Sequence, residues 1–456
     1  MNKLIYTLTL IVMFGLHNMA QSQSIAAGRA FSLAVCDNHT VRSWGYNING
    51  QLGIGTNIDS NLPVEVPGIT NAEAVSCGDR HSLCLTTEGT VWAWGDGSNG
   101  ALGNGSTTSS NIPVPVASLT GITSIAAGRY HSLALGSDST VWAWGFNGEG
   151  ALGNGTNTNS DVPIHVSLLT HVVAISAGTN FSLALKADGT VWAWGINEDG
   201  QLGDGTYNSS TIPIQVSSLT GVKAISTGYF HGVALRSDST IWAWGFNDNG
   251  QLGNGTYTGS NIPLQVNALT GMIAISGGRA HTLAIEADGT VWAWGRNNAG
   301  QLGNGSYTNS NIPVQVNLIT GIGSVAAGEV HSLARKEDGT GWSWGNNGNG
   351  ELGIGTNTAS NVPVQIGTLC PVLVIEDPDA VMQISAFPNP CNGKFTLNLP
   401  GGQVTVAIFD LFGQIVYRSG TSGDKLAIDL SGRPTGLYFL RIVSAGKPVT
   451  GKIVIQ

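Results

Sequence analysis

The chain reads as all-β: seven four-stranded sheets able to close into a ring, followed by a small immunoglobulin-like β-sandwich. Three observations carry this. A tryptophan–glycine pair recurs every fifty residues without an insertion, at Trp44-Gly45, Trp94-Gly95, Trp144-Gly145, Trp194-Gly195, Trp244-Gly245, Trp294-Gly295 and Trp344-Gly345. Such a period marks a solenoid or a propeller rather than a single-core globule. All thirteen tryptophans lie in this block, two per unit except the first, where Arg42 takes one place. Glycine supplies 65 of 456 residues and charged residues only 10%, which suits turns and disfavours helix.

The fourth unit shows how each repeat builds a sheet. Val173 to Gly178 is a short β-branched run ending in glycine, the expected strand A. Phe181 to Leu185 alternates large apolar with small residues, as strand B packed on both faces would. Asp188-Gly189 supplies the hairpin turn. Strand C is Thr190 to Gly195, with Trp192 and Trp194 on one face. A long Gly/Asn/Thr loop leads to strand D, Ile212 to Val216, whose Pro213 fits an edge strand and not a central one. One such sheet cannot bury both faces, so each must stack on its neighbours. The tryptophans read as glue in the seams. In the long loop, Leu52 and its counterparts Leu102, Leu152, Leu202, Leu252, Leu302 and Leu352 read as pins to the core. Asn247, Asp248 and Asn249 read as turn formers, because the spaced carboxylates of a calcium loop are missing.

Gly128 to Leu135 followed by Thr140 to Gly155 (Gly-Arg-Tyr-His-Ser-Leu-Ala-Leu, then Thr-Val-Trp-Ala-Trp-Gly-Phe-Asn-Gly-Glu-Gly-Ala-Leu-Gly-Asn-Gly) resembles the regulator of chromosome condensation repeat. The resemblance covers all seven units, roughly residues 24–370, and implies a seven-bladed β-propeller. Some units depart from the pattern. Arg335 stands where siblings have Leu or Ile, and Gly341 where they have Val or Ile. Phe31 and Phe181 replace the histidine found at His81, His131, His231, His281 and His331, which points to packing and hydrogen bonding rather than to a metal ligand. Relatives usually complete the last blade with a strand from the other chain end. Here Ile25 to Ala27 and Pro371 to Ile375 are both candidates for closing the ring.

Before the repeats, Lys3, the apolar run Leu4 to Leu16 and Asn18-Met19-Ala20 read as a signal peptide over residues 1–20. No later run is long enough for a transmembrane helix, so an exported, soluble protein is expected, and a monomer is the expected state. The expected organisation is a propeller over residues 21–372, a linker at 373–382 and a β-sandwich at 383–456. Of the five cysteines, Cys77 and Cys84 sit in alanine slots and read as small buried thiols. Cys370 and Cys391 bracket the linker and could be bridged, a pairing the sequence leaves open.

From Gln383 onward, about seven short alternating strands return within roughly seventy-five residues, the pattern of a small sandwich. Pro388-Asn389-Pro390, Phe409 to Gly413, Gly436-Leu437-Tyr438 and the terminal Lys452 to Ile455 resemble the C-terminal sorting domain of the type IX secretion system. That resemblance implies export by the type IX machinery to the outer surface of a gram-negative bacterium, or release from it.

Formal charge is −9, which argues against nucleic acid as a partner. No catalytic motif appears, and Asp138, Asp188, Asp238, Asp288 and Asp338 recur in register as hairpin residues rather than as one acid–base pair. Neither cofactor nor metal is expected. The reading is a non-enzymatic binding protein that presents variable loop residues to an extracellular protein or polysaccharide. Candidates preceding strand B are Arg29, Arg80, Arg129, Tyr130, Asn180, Tyr229, Phe230, Arg279 and Glu329. A second set follows the tryptophan run, Tyr46, Phe146, Ile196, Phe246 and Arg296, and a third is Tyr207, Tyr257 and Tyr307. Tyr, Phe and Arg are the types that dominate interface hot spots. Secreted relatives that cover an enzyme with one propeller face offer an analogy for a protein partner. The alternative is a glycan hydrolase or lyase, which would bring two carboxylates together on one patch. Nucleotide exchange on a small GTPase, the activity of the family's eukaryotic founder, fits poorly with export and an acidic chain.

Overall fold

The computed structural model describes residues 24–266, 269–370, 386–399, 403–411, 414–444 and 447–456. The expected signal peptide, the linker and the Pro371 to Ile375 segment lie outside these residues. Two compact units divide at Cys370.

In the first unit, seven consecutive sheets each contain four antiparallel strands in the order A-B-C-D, with no strand borrowed from elsewhere. Blade 1 runs Ile25–Ala27, Phe31–Val35, Val41–Gly45 and Ser60–Glu65. Blade 4 runs Val172–Ala177, Phe181–Lys186, Val191–Gly195 and Ser210–Gln215, within a residue or two of the boundaries read from sequence. Strand B of each blade packs on strand A of the next, and blade 7 packs on Ile25–Ala27 of blade 1. Ring closure therefore uses the short first strand inside its own blade.

In the six units that carry two tryptophans, the pair shares one seam but differs in depth. The second (Trp44, Trp94, Trp144, Trp194, Trp244, Trp294, Trp344) is fully buried, whereas Trp92, Trp142, Trp192 and Trp242 are partly exposed. Each inner indole donates across the seam: Trp94 Nε1 reaches the Gln51 carbonyl at 2.9 Å and Trp144 Nε1 the Ala101 carbonyl at 2.9 Å. The same carbonyl accepts the hydroxyl of a strand-B serine, as in Ser132 Oγ to Ala101 at 3.1 Å. That hydroxyl proton is committed to the carbonyl, so His81 Nε2, 2.9 Å from Ser132 Oγ, must donate to it. The histidine is thereby fixed as the neutral Nε2–H tautomer. Burial lowers the pKa of His81 to about 4 and that of His131 to about 3. The histidines are parts of the seam.

The long C-to-D loop is held by a buried asparagine. Asn147 Oδ1 accepts from Leu152 N at 2.9 Å while its Nδ2 donates to the carbonyls of Thr156 and Thr158. Leu152 and its counterparts are fully buried. A fourteen-residue loop becomes rigid because one side chain satisfies three backbone groups at once.

Two departures from the repeat pattern belong to the last seam. Arg335 Nη1 donates to the Val35 carbonyl at 3.0 Å and Nη2 to Asp37 Oδ1 at 2.7 Å, tying blade 7 to blade 1. A Cβ on Gly341 would lie 2.6 Å from Leu369 Cδ2, so a valine there would collide with the closing segment. Cys370 pairs with Cys36 across the same seam, 334 residues away in sequence, and not with Cys391. The bridge lies within the propeller because Leu369, just before Cys370, packs in the core shared by blades 1 and 7. Cys391 is a buried free thiol in the second unit, and Cys77 and Cys84 are also free.

The second unit pairs a three-stranded sheet (Ala386–Phe387, Lys394–Asn398, Lys425–Asp429) with a four-stranded one (Ile415–Thr421, Val404–Phe409, Gly436–Ser444, Lys447–Ile455). Alternating residues such as Phe395, Leu397, Val406, Ile408, Leu440, Ile442 and Ile453 fill one core between them. Asn389 clamps the final strand, donating to the Lys452 carbonyl at 2.8 Å and accepting from Val454 N at 2.9 Å.

Candidate functional site

Strand A of every blade lines the ring axis. The A-to-B turns and the C-to-D loops emerge at the same end, since strands alternate in direction. The glycine before each turn allows the blades to approach there: a Cβ on Gly78 would lie 2.4 Å from His81 and 2.5 Å from the Gly128 carbonyl of the next blade. Amide-to-carbonyl bonds then run round the axis, including Arg129 N to Gly178 O, Arg279 N to Gly328 O and, across the closing seam, Glu329 N to Gly28 O. A further set locks the C-to-D loops onto the turns, among them Phe146 N to Tyr130 O and Phe246 N to Phe230 O, both 2.9 Å. Variable side chains at these positions therefore sit on a fixed frame.

At the centre the seven equivalent positions carry Arg29, Asp79, Arg129, Thr179, Tyr229, Arg279 and Glu329. A cavity of about 200 Å³ opens there, lined by Arg29, Asp79, Arg129, Tyr229, Phe230, Arg279 and Glu329. Tyr229 Oη donates to Asp79 Oδ1 at 3.0 Å, joining blades 5 and 2. Three guanidiniums converge on the other Asp79 oxygen: Arg29 and Arg80 at 3.7 Å, Arg129 at 3.9 Å. Arg29 also pairs with Glu329 at 3.2 Å, and Arg279 bonds Glu329 as well. Burial and the two neighbouring carboxylates raise the Tyr229 pKa well above its ordinary value, so the phenol stays protonated as a donor.

Aromatic rings flank this cluster. Arg129 lies over the Tyr130 ring, and Tyr130 meets Phe146 edge to face at 6.3 Å. Phe230 makes similar edge contacts with Tyr229 and with Phe246. The candidates Arg29, Arg80, Arg129, Tyr130, Tyr229, Phe230, Arg279, Glu329, Phe146 and Phe246 thus form one connected group. Of these, Arg29, Arg129, Tyr229, Phe230, Arg279 and Glu329 line the cavity, while Arg80, Tyr130, Phe146 and Phe246 flank it. Asn180, Tyr46, Ile196 and Arg296 lie on the same face outside the group, and Arg296 Nε bonds Asn298 at 2.8 Å. Tyr207, Tyr257 and Tyr307 are exposed on outer loops of that face.

Sequence reasoning passes over Asp79, the hub. Its signal lay in the register: position 79 is the counterpart of 29, 129 and 279, and it is an acid among arginines. No group of three or more His, Cys, Asp or Glu able to hold a metal occurs among the described residues. Among the same residues no helix is long and apolar enough to cross a membrane.

Seven stacked four-stranded blades with one variable turn each at the axis define a repeat β-propeller. The RCC1-like domain matches residues 119–386, and regulator of chromosome condensation (RCC1) repeats match residues 38–85 and 88–135. The chain belongs to the RCC1-like domain family. A secretion system C-terminal sorting domain matches residues 385–456, which places this protein among those exported by the type IX machinery to the cell surface or the extracellular space. Similar solved structures include yeast RCC1 (Prp20) bound to Kap60, 22% identical with a TM-score of 0.66, covering 80% of this chain and 91% of that one. Another is Prp20p from Saccharomyces cerevisiae, described with its binding to Gsp1p and histones, 24% identical with a TM-score of 0.64, covering 74% and 87%. Human WBSCR16 is 25% identical with a TM-score of 0.63, covering 69% and 87%. These likenesses concern the fold.

Proposed function

We infer that this protein is an exported, non-enzymatic binding module that holds an extracellular partner at the centre of the face formed by the A-to-B turns and C-to-D loops. The observation that carries this is the Tyr229–Asp79 bond at the hub of an arginine cluster. A scaffold that repeats itself seven times breaks its symmetry most sharply there. Rigid turns that carry aromatic and guanidinium groups pay little ordering entropy on binding. The partners named for the yeast relative do not transfer: a cationic centre is a poor match for basic histones.

A second reading, a glycan hydrolase or lyase, has one observation in its favour, since Asp79 and Glu329 do meet at one cavity. Arginines face both carboxylates, however, and Tyr229 is held as a donor to Asp79, so each acid is already engaged within the protein. The test is capture of surface proteins and polysaccharides by the immobilised full chain, repeated with Tyr229→Ala plus Phe230→Ala. Loss of capture in the variant supports the reading. Equal capture removes this patch, and release of shortened glycan products favours the enzyme instead.

A further inference from the structure

We propose that the axial cavity takes an acidic sugar, one uronate unit of an anionic polysaccharide. This rests on the binding-module reading and names its ligand class.

Charge is the first reason. Arg29, Arg80, Arg129 and Arg279 face only two carboxylates, Asp79 and Glu329, so two positive charges are left over in a chain whose formal charge is −9. The acids lie at the base, with side chains 1% and 9% exposed, while the four arginine side chains are 35–43% exposed. What the mouth offers a ligand is therefore donors. Arg80 Nε, Arg129 Nε and Asp79 Oδ2 are buried and make no hydrogen bond, since the carboxylate oxygen lies beyond bonding distance from both guanidiniums. Asp79 aims the guanidiniums without saturating them. A planar guanidinium takes a carboxylate through two parallel N–H bonds, and one already oriented loses less freedom in doing so.

Size and surroundings select the sugar. About 200 Å³, crossed by the Tyr229–Asp79 bond, suits one ring-sized group rather than a protein surface. The rings of Tyr130, Phe146, Phe230 and Phe246 stand beside it, and Tyr207, Tyr257 and Tyr307 are exposed at equivalent loop positions of three successive blades on the same face. Aromatic faces beside the cavity give a pyranose ring an apolar surface to pack on. The loops between them are rich in Asn, Ser, Thr and Gly, neutral groups that match sugar hydroxyls. A stable protein interface would instead place apolar surface at its centre.

The test is calorimetric titration of the full chain with polygalacturonate, with dextran as the neutral polymer, polyglutamate as the acidic peptide and inorganic sulfate as the bare anion. Polygalacturonate should bind, more weakly as salt rises, and dextran should not. Arg129→Gln plus Arg279→Gln should weaken binding about tenfold or more, the loss of one well-placed charged contact each. Because that pair also frees Asp79 and Glu329, Arg129→Gln alone is the second variant; it leaves Arg29 and Arg80 facing Asp79 and should still lose affinity several-fold. Absence of polygalacturonate binding, or equal binding by wild type and Arg129→Gln, overturns the proposal. Polyglutamate or sulfate binding as tightly as the polysaccharide overturns the sugar assignment. If capture in the preceding experiment still depends on Tyr229 and Phe230, the binding-module reading survives that failure; if it does not, both fall.

Discussion

The indole Nε1 of Trp44 donates to the main-chain carbonyl of Glu351, 2.9 Å away and 307 residues later. Trp94, Trp144, Trp194, Trp244, Trp294 and Trp344 make the same bond to the preceding blade. Ser32 and His331 repeat the hydroxyl–imidazole contact at the closing seam, 2.9 Å apart. That seam thus shares the indole bond with all six others and the imidazole contact with four of them, and it carries two additions, the Arg335–Asp37 pair and the Cys36–Cys370 bridge. In an array stabilised by nearest neighbours, an opened seam leaves two ends that can fray.

Reduction, or Cys370→Ser, should therefore lower stability by about 2–5 kcal/mol, the usual range for a bridge closing a long loop. Calorimetry with and without reductant reads this as a fall in Tm. Cys84→Ala, a free thiol in an alanine slot, should melt close to wild type and keep the response to reductant. If reduction left the Tm unmoved, the tryptophan, histidine and arginine contacts alone would be holding the ring.

Trp94 and Trp92 are two residues apart on one strand face, yet their truncation should differ. Trp94 is fully buried and donates to Gln51, so Trp94→Ala should cost about 3–5 kcal/mol. Trp92 keeps part of its ring in solvent and should cost less than half as much. Urea denaturation of the two variants checks the ranking, and equal losses would contradict the difference in depth.

This difference marks where sequence reading stops. Strand alternation places both tryptophans on one face, and it did so correctly, but radial depth in a wedge-shaped blade has no period of its own. The blades and the buried loop leucines were legible because each follows a local pattern repeated seven times, and the hairpins because Asp-Gly marks three of them, at Asp188-Gly189, Asp288-Gly289 and Asp338-Gly339. The Cys36–Cys370 pairing and the role of Arg335 were not, because both arise only where the two ends of the repeat meet. At the site, the variable arginines and aromatics stood out as departures from the repeat, whereas Asp79 becomes the hub only once the turns converge on the axis.

Acid should destabilise the fold early. His81, His131, His231, His281 and His331 are buried, and burial lowers their pKa values from 6.5 to about 3–4. At neutral pH neither state binds the proton. Below 6.5 the unfolded chain takes up protons that the folded chain refuses, so stability falls by about 1.4 kcal/mol per pH unit per histidine until the folded value is reached. The Tm should drop steeply between about pH 6.5 and 5, above the range where ordinary carboxylates titrate. His81→Phe, which copies the residue at Phe31 and Phe181, should flatten that slope by one proton; an unchanged slope would mean that His81 takes up its proton equally in both states.

Phe181 and Gly232 form a compensated pair. Every histidine of this series faces a Ser or Thr hydroxyl on the next blade, but Phe181 faces Gly232, whose missing side chain is filled by the Trp244 ring 2.4 Å from where a Cβ would lie. Phe181→His alone puts a buried Nε2–H where no hydroxyl can accept it, at a cost of about 1–3 kcal/mol. Gly232→Ser alone collides with Trp244 and should destabilise too. Together they rebuild the contact seen between His131 and Ser182, provided the indole moves to the place Trp144 occupies in its own blade. The double variant should thus be more stable than the sum of the single losses predicts, by about 1 kcal/mol or more in a double-mutant cycle. Strict additivity would show that the phenylalanine and glycine were accommodated independently.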